Sequence, residues 1–160
     1  MHEKHKPAIA IFAGTGNQLQ RVQALAQQLN VEKYAHFVGR TRKIPELLHY
    51  TDALVLTSKR GEGMPIVLLE ASTMKKPLVG PTNIGAEDLI LDGENGLLYE
   101  NDNPAALADK LAELVDAKPN ATFGAAAFAH VRKNFSTDAN MQRLMKLYSD
   151  TLCNAKQQTA

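Results

Sequence analysis

Short apolar runs separated by longer amphipathic stretches set the rhythm of this chain. Residues 8–13 (AIAIFA) are apolar throughout and stop at Gly14-Thr15-Gly16, which predicts a buried strand and a turn. Leu19, Val22, Ala26 and Leu29 then fall on one face of a helix, with Asn17 and Gln20 as its capping pair. A second strand is expected at 36–38, closed by Gly39, then a short helix at 45–49 and a third strand at 53–56. The apolar run after Pro65 predicts a helix, and 77–79 a fourth strand. Asp92-Gly93 and Asn95-Gly96 are turn signals before a short strand at 97–99. The remainder reads as helical. Asn103 caps a helix that opens at Pro104 and runs to about Val115, 121–135 is an alanine-rich helix, and Ser136 caps a last one. Strand-then-helix alternation with near-continuous apolar strands predicts an α/β fold, a Rossmann-like parallel sheet covered by helices on both faces. Ligands of such sheets lie beyond the carboxyl ends of the strands, where the loops at Gly14, Gly39 and 58–63 all fall.

Composition narrows the class without naming a chemistry. At 160 residues, with 44% hydrophobic and 22% charged residues, the chain suits one globular domain with a substantial core. We expect a disordered start at 1–7 and the domain over 8–160. A net charge of +1 gives no reason to expect nucleic acid as a partner. Cys153 is the single cysteine, so no internal disulfide can form. The polar start lacks a signal-peptide core, and no apolar run approaches the roughly 18 residues of a membrane span. The expected location is cytoplasmic.

The candidate chemistry lies in Gly61-Glu62-Gly63-Met64-Pro65-Ile66-Val67-Leu68-Leu69-Glu70. Pro65 suits the first position of a helix, because its missing N–H is one of the donors left free there. Residues 66–69 are apolar on every face, so the helix reads as buried, and a carboxylate within it needs partners. Glu70 stands roughly 7–8 Å along the axis from Pro65. A helix N-terminus attracts anions. Two acids flanking it could hold hydroxyl groups on either side of a bound diphosphate, the shape of a nucleotide-sugar. Other candidates are weaker. Gly14-Thr15-Gly16 lacks the third glycine of a dinucleotide fingerprint, since position 19 is Leu19, and reads first as a tight turn. The histidines offer no metal spacing. Lys75-Lys76 reads as a solvated helix end, and Lys59-Arg60 as a solvated loop that could approach a phosphate.

These residues carry a resemblance. Residues 8–152 are similar to most of the C-terminal, donor-binding domain of the family 4 (group 1) retaining glycosyltransferases, which have the two-domain GT-B architecture. The glutamate–seven residues–glutamate signature is Glu62 to Glu70, supported by Phe37-Val38-Gly39, Asp52-Ala53, Ser58, Pro77-Leu78-Val79 and 92–98 (DGENGLL). The resemblance implies that Glu62 faces the donor sugar as the catalytic carboxylate and that Glu70 holds the ribose hydroxyls. It implies that the backbone of Gly63, Met64, Pro65 and Ile66 borders sugar and diphosphate. Gly39, Arg40 and Thr41 would border the base, and Gly14 and Gly16 the nucleotide side of the cleft. Members transfer sugars with retention, without metal or other cofactor, and UDP is the commonest donor nucleotide. The alternative reading is a non-catalytic module that binds nucleotide or a partner protein.

Departures from the family pattern shape the remaining expectations. Lys75 stands where the family commonly has a helix-ending glycine, Ile84 replaces the first of two glycines, and Asp88 occupies a usual glutamate position. The family's first strand and helix of this domain, with its diphosphate-neutralising arginine and lysine, have no counterpart, nor does the N-terminal acceptor domain. In a sheet of order 3-2-1-4-5-6 the absent strand is central. The strands at 8–13 and 53–56 would then face each other across a gap. We expect that gap to close directly or to be filled by a second copy or another segment, with weak donor binding by the isolated chain.

Overall fold

The computed structural model describes residues 8–59, 63–82, 85–116 and 120–158. The expected disordered start at 1–7 and the loop residues Arg60, Gly61, Glu62, Asn83 and Ile84 lie outside them. The elements run β1 (Ala10–Ala13), α1 (Leu19–Gln28), β2 (Ala35–Gly39), α2 (Ile44–Tyr50), β3 (Leu54–Val55) and α3 (Ile66–Thr73). Then come β4 (Leu78–Pro81), β5 (Gly96–Tyr99), α4 (Pro104–Asp116), α5 (Asn120–Phe135) and α6 (Thr137–Gln158). Each predicted element is present within a few residues of its expected bounds. A single 3-10 turn at Glu32–Tyr34 was not foreseen, since three residues show no periodicity.

Among the described residues all strand pairings are parallel, in two separate sheets, β1–β2 and β3–β4–β5. In the larger one β4 is central and buried at all four positions. Its neighbours point to opposite faces, as pleating requires. Leu78 joins a cluster with Leu56, just past β3, and with Leu48, Leu68, Ala71, Ala127 and Val131 from α2, α3 and α5. Val79 joins Leu97, Tyr99 and Leu114 on the side covered by α4. The domain is thus a helix–sheet–helix sandwich. Its tightest approach is Gly124 of α5, where a β-carbon would stand 1.8 Å from the Lys75 carbonyl oxygen.

Both clusters draw their members from residues 44–135. The β1–α1–β2 unit contributes none, and Ala26 is its buried residue. Every residue of β1 is exposed, so the expectation of a sheet covered on both faces holds for β3–β4–β5 and fails for β1. Direct closure of the central gap does not occur either, because β1 pairs with β2 and β3 with β4 alone. Leu48, with the partly buried Ile44, packs α2 on the larger core. The two sheets match the flanks of a 3-2-1-4-5-6 order, with no counterpart of its first strand among the described residues.

The capping expectations divide. Asn103 Oδ1 accepts the Ala106 N–H at 3.0 Å and Ser136 Oγ the Ala139 N–H at 3.2 Å. At α1, by contrast, the cap is Gln18 and makes no side-chain bond. Asn17 is instead part of a turn that the Leu19 N–H closes on the Gly16 carbonyl at 3.2 Å. Lys76 is no solvated helix end. Its Nζ donates to the carbonyls of His49 at 3.1 Å and Thr51 at 2.7 Å, satisfying the C-terminus of α2. Lys75 has φ +55°, the left-handed geometry of a helix-ending glycine, and its ammonium lies 5.4 Å from the Phe128 ring centre.

Candidate functional site

Two groups of predicted residues come together, each at the carboxyl ends of one sheet. In the first, β1 and β2 end in Gly14 (φ +141°) and Gly39 (φ +67°), conformations that favour glycine. The Gly14 N–H donates to the Gly39 carbonyl at 2.8 Å and ties the two turns together. No atom crowds a β-carbon at Gly14, Gly16 or Gly39, so backbone geometry sets the demand at 14 and 39. Gly14 and Gly16 line a depression of about 360 Å³ floored by Phe12 and Phe37, whose rings stack at 4.9 Å. Thr41 belongs to a neighbouring hollow with Val38, Leu47 and Tyr50, and its hydroxyl accepts the Lys43 N–H at 3.0 Å. Arg40 is exposed between them.

The second group follows β3. Gly63 and Met64 are exposed on the approach to α3, and Pro65 is buried beneath them. Pro65 is the cap rather than the first helical residue, because its ψ of 106° is extended. Its carbonyl accepts the Leu68 N–H at 3.0 Å, and the helix has no side-chain cap. The positive end of the helix dipole lies at Pro65, flanked by the exposed Met64 and Ile66.

Glu70 is exposed, which corrects its expected burial. Leu68, Ala71 and Ser72 are the buried residues of α3, packed toward α5 and the sheet. Ile66, Glu70 and Thr73, spaced i, i+4 and i+7, form the opposite, open stripe. Ile66 is 69% exposed. The stripe carries Glu70 in line with the helix start, so a ligand lying on the dipole end would run toward that carboxylate. Glu62 lies outside the described residues, and the chain leads to it from Lys59.

Contacts that sequence reading missed surround that approach. The Tyr99 hydroxyl donates to the Leu56 carbonyl at 3.0 Å, and burial pushes its phenol pKa up from 10.0. Lys59 is exposed, as expected of a solvated loop, and also pairs with Asp102. No local pattern announces contacts across about forty residues. Among the described residues, no three histidines, cysteines or carboxylates gather as a metal site.

Residues 1–129 match the family described as glycosyl transferases group 1. The chain belongs to that family. It is 31% identical over 156 residues to the D-inositol 3-phosphate glycosyltransferase of Corynebacterium jeikeium, covering 93% of this chain and 37% of the relative. It is 28% identical over 138 residues to the poly(ribitol-phosphate) alpha-N-acetylglucosaminyltransferase of Staphylococcus aureus, covering 85% and 28%. The crystal structure of Anabaena HepE in complex with UDP-glucose superposes with a TM-score of 0.79 at 27% identity, over 88% of this chain and 41% of that one. The group 1 chain thus spans about a third of the length of the curated relatives it matches. Its fold is one Rossmann-like half of a GT-B architecture.

Proposed function

We propose that this group 1 domain binds the nucleotide-sugar donor of a retaining glycosyltransferase. The observation that carries the reading is α3. Its N-terminus has no side-chain cap and follows the exposed Gly63 and Met64, and its open stripe bears Glu70. The diphosphate lies on the N-terminus beside the backbone of 63–66, and Glu70 accepts hydrogen bonds from the ribose hydroxyls. Glu62 faces the sugar. Gly39, Arg40 and Thr41 border the base, with Gly14 and Gly16 on the nucleotide side. The UDP-glucose complex of HepE supports a UDP-sugar as donor. Transfer to a glycan, lipid or small-molecule acceptor then proceeds by same-face attack of the acceptor hydroxyl on the sugar's anomeric carbon, with no protein nucleophile. The hydroxyl's proton passes to the diphosphate oxygen of the departing UDP. The sugar is a hexose or N-acetylhexosamine, and the acceptor is held by a separate N-terminal domain.

The reaction uses no metal, because the helix dipole and backbone N–H groups offset part of the diphosphate charge. Undiminished transfer in excess chelator is expected, and a strict divalent-ion requirement would contradict this. No helix among the described residues is long and apolar enough to cross a membrane. We place the domain in the cytoplasm, reaching the inner membrane face only through the acceptor domain. The exposed edge of β1 takes up a further strand, supplied by a second copy when the chain is alone.

Paired substitutions test the assignment in an enzyme that joins this domain to its acceptor domain. Glu62→Ala should lower kcat by about 10²–10⁴-fold with nucleotide affinity intact. Glu70→Ala should weaken UDP binding by about 10–100-fold, the loss expected for charge-assisted hydrogen bonds. Unchanged transfer after both would overturn the site.

A further inference from the structure

Residues 56–59 carry the chain from β3 toward the loop that contains Glu62. Three side chains from one stretch of sequence grip this segment. Tyr99, the last residue of β5, donates its hydroxyl to the Leu56 carbonyl inside the core. Asn101 donates from Nδ2 to the Lys59 carbonyl at 3.1 Å. The Asp102 carboxylate pairs with the Lys59 ammonium.

The turn that presents Asn101 and Asp102 is well braced. The Asn103 N–H donates to the Glu100 carbonyl at 3.2 Å and closes a four-residue turn. Asp102, its third residue, has φ +59°. Aspartate tolerates that left-handed position, and glycine adopts it with no steric cost at all. Asn103 stiffens the turn from the other side. Its Nδ2 meets the Glu100 carboxylate at 2.8 Å while its Oδ1 caps α4. The braced turn holds the Asp102 carboxylate where it meets Lys59.

We infer that Asn101 and Asp102 are positioning residues that fix Lys59, and with it the approach to the Glu62 loop, for the donor sugar. The inference rests on the reading of Glu62 as the sugar-facing carboxylate. The Lys59–Asp102 pair is 72% and 62% exposed, so solvent screens it and its effect on melting is small. Its signature is local.

The experiment uses the full chain and three variants, Asn101→Ala, Asp102→Gly and Asp102→Glu. Asp102→Gly removes the carboxylate and suits the turn, so a turn-only role predicts an equally or more stable protein with nothing else altered. The first readout is timed trypsin cleavage at the Arg60–Gly61 bond, followed by mass spectrometry. Cleavage should quicken by about threefold to tenfold in Asn101→Ala and Asp102→Gly, the ratio one or two modest polar contacts support, and return toward the parent rate in Asp102→Glu. Equal rates in all four proteins would overturn the clamp. The second readout is amide chemical-shift titration with UDP and with UDP-glucose. UDP affinity should stay constant while the extra affinity for UDP-glucose falls in Asn101→Ala and Asp102→Gly. A preference for UDP-glucose that survives in both variants would overturn the positioning role. Weak binding by the isolated chain is enough for this readout. If neither probe shifts any amide even at the high concentrations that weak binding calls for, the donor reading fails, and the proteolysis rates still decide the clamp.

Discussion

At the scale of single residues, Gly124 and Tyr99 carry the clearest consequences. Gly124 reads in the sequence as an ordinary interior glycine of an alanine-rich helix, yet α5 meets the Lys75 carbonyl there. A β-carbon 1.8 Å from that oxygen forces the helix off the core. Gly124→Ala, favourable on helix propensity alone, should destabilise by about 1–3 kcal/mol or more in urea unfolding. A gain would show that α5 sits elsewhere. Tyr99 is 6% exposed, and its neutral hydroxyl holds the Leu56 carbonyl. The folded state holds this proton more tightly than the unfolded chain. The contribution is therefore whole below pH 10.0 and is lost as pH rises through the higher folded-state value. Tyr99→Phe should cost about 0.5–1.5 kcal/mol at neutral pH, and the difference between the two proteins should shrink above pH 10. A difference that stays constant with pH would contradict the buried-phenol account. Lys75 shows the opposite kind of legibility. Its place at a usual glycine position was readable from the sequence, and its φ of +55° gives the reason.

At the scale of elements, α3 marks where sequence reading worked and where it stopped. Pro65 and the apolar run located the helix to within a residue. Which face opens was not readable, because Ile66, Val67, Leu68 and Leu69 are apolar all round. The buried face is chosen by distant partners, Ala127 and Val131 of α5 and Leu78 of β4, so Glu70 was assigned burial that its face does not have. Two substitutions separate the faces. Leu68→Ala should cost about 2–5 kcal/mol, as for a buried leucine in a packed core. Ile66→Gln, on the open stripe, should change stability by less than about 0.5 kcal/mol. Thermal or urea melts of both settle the orientation of α3. Equal costs would mean that the stripe is covered. Strand positions and the caps at Asn103 and Ser136 were legible for a local reason, since each signal lies within a few residues of its effect. The clamp at Asn101 and Asp102 was not, because its partner is about forty residues away.

At the scale of the whole molecule, the chain has one well-built region and one without a core of its own. In the β1–α1–β2 unit Ile9 is 67% exposed, Phe12 44% and Leu29 61%. Among the described residues the inner edge of β1 has no partner strand, and an apolar edge of this kind is a template for another strand. α6 likewise exposes Met141, Met145, Tyr148 and Leu152 along one side. Local opening should follow this division. Amides of β1 and β2 should exchange with solvent far faster than those of β4, which is buried at every position. The same open edge argues for association. Pairing β1 with its counterpart in a second copy would satisfy backbone groups and cover Ile11 and Phe12 at once, about the only route by which the isolated chain can shield them. Sedimentation should therefore give a mass that rises with concentration. Ile11→Lys, which sets a charge on the edge strand, should return the chain to monomer while the melting of the β3–β4–β5 core stays unchanged. Such pairing lies beside Gly14 and Gly39, so the self-associated chain should bind UDP-sugar weakly. A chain that stays monomeric at every concentration, or that takes up donor tightly while associated, would show that β1 needs no partner strand.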